Sequence, residues 1–70
     1  MENGLRTLRK ANGLTQMRLS QKSGVHRTII ARYETGKSGM SSRNLLRVAK
    51  ALDTSVERIV GGDSADGAAS

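Results

Sequence analysis

At about 100° per residue, Arg27, Thr28, Ala31, Arg32 and Thr35 share one arc of about 140° on a helix, while Ile29, Ile30 and Tyr33 take the other side. The arc holds two guanidinium groups and no acid. Each guanidinium can donate two parallel hydrogen bonds to guanine or to a phosphate, threonine offers a hydroxyl and a methyl group, and a small alanine permits close approach. Taken alone, such an arc is read first as a solvated helix face. Its weight comes from what surrounds it.

Other chemistry is poorly supplied. The chain has no cysteine, which excludes a disulfide framework, a thiolate zinc site and a thiol nucleophile; the single histidine, His26, cannot provide the ligands of a metal site. The folded part holds four carboxylates and no spacing suggestive of a catalytic dyad or triad, so no enzyme, metal or cofactor is expected. The longest apolar run is Ile29-Ile30-Ala31, and polar residues punctuate residues 1–20. No membrane span or signal peptide is read, and the expected location is the cytoplasm.

Seventy residues make one small domain with a compact core, and the function is expected on its surface. The net charge is +6, and the last ten residues contain Asp63 and Asp66 without a cation, so residues 1–60 carry +8. A small cationic surface suits a polyanion, either nucleic acid or an anionic membrane face. The membrane reading ranks below DNA because the helical pieces are short and lack a Trp or Phe face.

Those pieces are set out by punctuation. Leu5, Leu8 and Ala11 form a stripe stopped by Asn12-Gly13. Leu14, Thr15 and Leu19 have the spacing of a hydrophobic staple around a hydroxyl cap, and that helix ends at Ser23-Gly24. Val25, His26 and Ile30 repeat the arrangement for a third helix closing at Gly36; Met40, Ser41 and Leu45 repeat it for a fourth, whose wide stripe takes in Leu45, Leu46, Val48, Ala49 and Leu52. Ser55 can cap a last short piece with Val56, Ile59 and Val60 before Gly61-Gly62. No segment alternates long enough for a strand, so the fold is read as all-α. The tail, residues 61–70, has nothing large to bury and is expected to be disordered.

Helices two and three are each shorter than the ~12–15 residues at which an isolated helix becomes marginally stable, so they must pack on each other. A tight connection through Ser23-Gly24-Val25 gives the spacing of a helix-turn-helix, over about residues 16–35, whose second helix is offered to the major groove of DNA. Tyr33 is assigned to the core with Ile29 and Ile30, and Glu34, at the edge of that apolar arc, needs a basic partner. His26 is read as a cap, with a phosphate contact as the alternative.

Leu14-Thr15-Gln16, Leu19, Gly24-Val25, Ile30, Tyr33-Glu34-Thr35-Gly36-Lys37 and Leu45 to Leu52, followed by Ser55-Val56, resemble the Xre, or lambda-type phage repressor and Cro, family of helix-turn-helix DNA-binding domains. The resemblance covers roughly Leu5 to Val60 and implies a compact five-helix bundle. It implies base-reading roles for Arg27, Thr28 and Arg32, and phosphate contacts for Gln16, Thr35, Lys37 and Arg43. Arg43 also stands in a helix's first turn, where a cation opposes the macrodipole and a phosphate would compensate it. The family's pairing of a helix-one arginine with a glutamate near the end of helix three falls on Arg9 and Glu34. His26 stands where the family commonly has a small hydroxyl residue, Met17-Arg18 where acidic or polar residues are frequent, Met40 where proline is common, and Asp53 where glycine is usual.

The sequence thus describes a domain over 1–60 that regulates transcription, read as a repressor binding double-stranded DNA as a homodimer. Val56, Ile59 and Val60 are the expected dimer surface; for Val56 and Ile59 packing onto helix one or helix four competes. The alternative function is an antitoxin-type module that neutralises a protein partner.

Overall fold

A computed structural model describes residues 4–61; of the tail read as disordered, 61–70, Gly61 is helical instead and ends the last helix, and the rest lies outside the described residues. The chain forms α1 (Leu5–Ala11), α2 (Gln16–Ser23), α3 (Arg27–Glu34), α4 (Ser42–Ala51) and a last helical piece, α5, over 56–61. α1 starts at Gly4 without a side-chain cap, and the other four starts are written in side-chain chemistry. Thr15 accepts from the Arg18 N–H at 3.1 Å, His26 Nδ1 from the Thr28 N–H at 3.0 Å, Ser41 from the Asn44 N–H at 3.2 Å and Ser55 from the Arg58 N–H at 3.3 Å. These bonds satisfy helix-end donors that otherwise have no partner.

The ends follow a common pattern. The Leu14 N–H reaches back to Arg9 C=O, Lys37 to Arg32 and Thr54 to Ala49, each around one left-handed residue. Two of those residues are glycines. The third is Asp53 at φ 53°, where aspartate tolerates the conformation that glycine would adopt without strain.

Leu5, Leu19, Val25, Ile30, Val48, Leu52 and Ile59 are buried in one cluster, with Leu8, Leu14, Met40, Leu45 and Val56 packed around it. α2 sits between α3 and α4, and α1 closes over α3. The Gly4 N–H donates to Ile59 C=O at 2.8 Å, tying the start of α1 to α5. Because α2 and α3 have eight residues each, burial of Leu19 and Ile30, at about 1.5–3 kcal/mol per side chain, is what holds them helical.

Three expectations are corrected. Ile29 is not core: the buried stripe of α3 runs through Ile30, Tyr33 and Glu34, and Ile29 is left 36% exposed on its rim. Leu46 is 57% exposed, because α4 buries Val48, Ala49 and Ala51 and Leu46 lies on the far side of the helix. Ile59 is fully buried in the central cluster and cannot form a dimer surface; half-buried Val56 packs against the same cluster, leaving Val60 exposed.

Candidate nucleic-acid interface

The turn between α2 and α3 depends on Gly24, whose φ of 80° lets the chain reverse directly after Ser23. Val25 then enters the core and His26 caps α3. With Ile30 and Tyr33 buried on one side, the helix has only one orientation in which both stay dry. That orientation leaves Arg27, Thr28 and Arg32 exposed and brings small Ala31 to the surface between them. Burial also pushes the Tyr33 hydroxyl's pKa above its ordinary value of 10.0, in keeping with a core tyrosine.

A polar network fixes the geometry behind this face. Arg9 Nε donates to Glu34 Oε2 at 2.7 Å and Arg9 Nη2 to Glu34 Oε1 at 3.1 Å, while Arg9 Nη1 donates to Leu14 C=O at 2.7 Å. The pair is nearly dry, with the Arg9 side chain 9% and the Glu34 side chain 2% exposed. Gln16 Nε2 also donates to Glu34 Oε1, at 3.1 Å. One carboxylate at the end of α3 therefore gathers a cation from α1 and an amide from the first residue of α2. No local pattern announces the Gln16–Glu34 bond, because eighteen positions separate its partners.

Resemblance matches Gln16, Thr35, Lys37 and Arg43 to phosphate contacts, and His26 is the further candidate. His26, Thr35, Lys37 and Arg43 are exposed and Gln16 is half-buried. The two readings of His26 are compatible: Nδ1 accepts the capping bond, so in the neutral ring the proton sits on Nε2, available to an outside acceptor. Thr35 donates its hydroxyl back to the carbonyls of Ala31 and Arg32, at 3.2 and 3.1 Å, so its donor serves α3. Lys37 follows the turn at Gly36 and is exposed.

The electrostatics are one-sided. None of α1 to α4 has an acidic residue in its own first turn, and the one carboxylate that meets the start of α2, Glu34, is already paired with Arg9. Among the described residues Glu34 is the sole carboxylate before Asp53, and it is buried and paired. Arg18 and Lys22, one turn apart on α2, are exposed cations that extend the positive surface beyond the residues singled out by spacing. Helix N-termini without acids beside exposed guanidinium groups are suited to a run of phosphates.

Comparison with known proteins supplies the remaining constraint. The profile of the helix-turn-helix family HTH_3 matches residues 5–59. The control protein C.SmaI of Serratia marcescens is 35% identical over 60 residues, covering 86% of this chain and 71% of that protein. Among solved structures, the restriction-modification controller protein C.AhdI from Aeromonas hydrophila is 38% identical with a TM-score of 0.74, over 79% of this chain and 83% of that one. The P22 c2 repressor, solved in complex with a synthetic operator, is 30% identical with a TM-score of 0.76, over 84% of this chain and 89% of that one.

Proposed function

Because this chain belongs to the helix-turn-helix family, we propose that it is a sequence-specific DNA-binding transcriptional regulator that places α3 in the major groove of a pseudo-palindromic operator. The observation that carries the reading is the outer face of α3: Arg27, Thr28 and Arg32 exposed together, on a helix whose other side is locked into the core. Arg27 lies in the first turn, the part that enters the groove, and reads a base edge; Thr28 and Arg32 read its neighbours. Gln16, His26, Lys37 and Arg43 hold the backbone on either side, with Thr35 packing beneath it. The chain acts as a homodimer, whose two α3 helices meet successive major grooves about 34 Å apart.

Likeness to two control proteins and a repressor supports regulation as the purpose of binding, and the higher identity to the control proteins favours a gene set of the restriction-modification kind. Catalysis has no place in this reading. The site of action is the cytoplasm, and no described helix is long and apolar enough to cross a membrane.

The test contrasts reading with anchoring. Arg27→Ala should cost about 1–3 kcal/mol on a selected operator and relax preference at one base pair. Lys37→Ala should weaken operator and scrambled duplex alike and lower the salt slope by about one phosphate's worth. Titrations of both variants at several salt concentrations measure the difference. Equal weakening of both duplexes by Arg27→Ala would remove α3 as the reading element.

A further inference from the structure

We propose that Glu34 is a positioning residue for DNA binding: it holds the Gln16 carboxamide with its nitrogen turned to bridge the protein interior and a DNA phosphate. The inference rests on the reading of α2 and α3 as the DNA-binding unit, and it starts from the bond between Gln16 Nε2 and Glu34 Oε1.

A carboxamide has one donor end and one acceptor end, whereas a carboxylate only accepts. Turning the amide over would set Gln16 Oε1 against Glu34 Oε1, two lone-pair-bearing atoms face to face. Glu34 therefore dictates which end of Gln16 faces inward. The nitrogen it selects carries two hydrogens, and the carboxylate takes one. The second is left for an acceptor at the first residue of α2, where the backbone N–H groups of the helix start also lack intrahelical partners.

The carboxylate is itself held fast. Arg9 grips it through Nε and Nη2, and with Nη1 grips Leu14 C=O, one residue ahead of the Thr15 cap of α2. The start of α2 and the end of α3 are thus pinned to one guanidinium. A half-buried Gln16 held in this way has already lost its rotamer freedom before DNA arrives, so contact with a phosphate orders nothing further. A neutral amide suits the role because it can donate to two anions at once; a lysine there would pair with Glu34 and compete with Arg9.

The experiment is a double-mutant cycle read in DNA affinity, using the full chain, a duplex selected from a random pool, and the substitutions Glu34→Gln and Gln16→Ala. Glutamine at 34 can present oxygen or nitrogen and no longer dictates the amide's orientation. Removal of one negative charge alters affinity equally in both backgrounds and drops out of the cycle. The expected coupling is a factor of about ten or more, the worth of one hydrogen bond to a charged group. Glu34→Gln should show that effect with Gln16 present and lose it in Gln16→Ala. Independent, multiplying effects would overturn the proposal, showing Glu34 to be structural only. Should Glu34→Gln fail to fold, nuclear Overhauser contacts between the Gln16 carboxamide and the Arg9 guanidinium in the DNA-free wild type decide it. Their presence supports the proposal, and a freely rotating carboxamide overturns it. Failure of the wild type to bind any selected duplex would sink the DNA-binding reading itself, a different result from binding without coupling.

Discussion

Glu34→Ala is the most severe single change this fold offers outside its apolar centre. The carboxylate accepts from Arg9 Nε at 2.7 Å, Arg9 Nη2 at 3.1 Å and Gln16 Nε2 at 3.1 Å, in a place where its side chain is 2% exposed. Alanine leaves those donors without their acceptor and strands the Arg9 cation in surroundings too dry to hydrate it. Breaking a buried pair from one side costs about 3–5 kcal/mol. A domain of this size, at roughly 0.05–0.15 kcal/mol per residue, holds only about 3–9 kcal/mol in total. The single variant should therefore melt near or below room temperature. Arg9→Met combined with Glu34→Leu removes both charges and refills the space, so the double variant should regain about 2–3 kcal/mol relative to the sum of the single losses. Urea melts of the wild type, Arg9→Met, Glu34→Leu and the double variant, at low temperature where the weakest remain folded, measure the coupling. The charged pair is little screened in the interior, so the coupling should also survive high salt that abolishes DNA binding. Losses that add to within about 0.5 kcal/mol would refute the argument that the two residues act as a unit.

Dimerisation on DNA should weaken in Val60→Asp and in Leu46→Asp, the exposed large apolar residues of α5 and α4, with melting little changed. Sedimentation with and without operator reads this, and unchanged assembly in both variants would exclude the surface. Tyr33 titrates above its ordinary 10.0 because burial disfavours the phenolate, so its contribution is whole below pH 10 and is lost as pH rises through the raised folded value. As the chain's one aromatic residue it can be followed by its own ultraviolet absorbance, and Tyr33→Phe should flatten the alkaline loss of stability. Thr28→Ala should shift the stability by less than about 0.5 kcal/mol, as expected of an exposed residue, while altering the sequence selected from a random DNA pool; an unchanged selected sequence would remove Thr28 from the reading set.

The starts of α2, α3 and α4 were legible because each is written in three neighbouring or near-neighbouring residues: Leu14-Thr15 with Leu19, Val25-His26 with Ile30, and Met40-Ser41 with Leu45. A cap is a local bond, and local bonds leave local patterns. Burial is different. Ile29 and Ile30 are identical in type and adjacent, yet one is 36% exposed and the other 0%, because the choice is made by where α2 and α1 happen to lie. Leu45 and Leu46 repeat the lesson on α4. The position of Ile59 near the end of the folded part suits a partner surface and the core alike, and the core takes it: the side chain is buried and the Gly4 N–H bonds its carbonyl. The exposed outer face of α3 was legible as an arc of side chains. Its support was half visible: resemblance suggested Arg9 with Glu34, and nothing in the spacing suggested Gln16.

Apolar burial and directional bonding divide the work of presenting α3. Burial of Ile30 and Tyr33 decides which side of the helix faces inward, but apolar contact is non-directional and tolerates small sliding and rotation. A reading helix cannot tolerate them, since a guanidinium must meet the O6 and N7 of guanine with both bonds in line. Arg9 removes the remaining freedom by holding the carboxylate at the end of α3 and the carbonyl ahead of α2 with one rigid planar group. None of the bonds in that clamp involves Arg27, Thr28 or Arg32. The side chains proposed to choose the sequence are in this way separated from those that hold the helix. A protein so arranged can change its preferred operator by surface substitution alone, whereas any change within the Arg9–Glu34–Gln16 network is felt at every operator it binds.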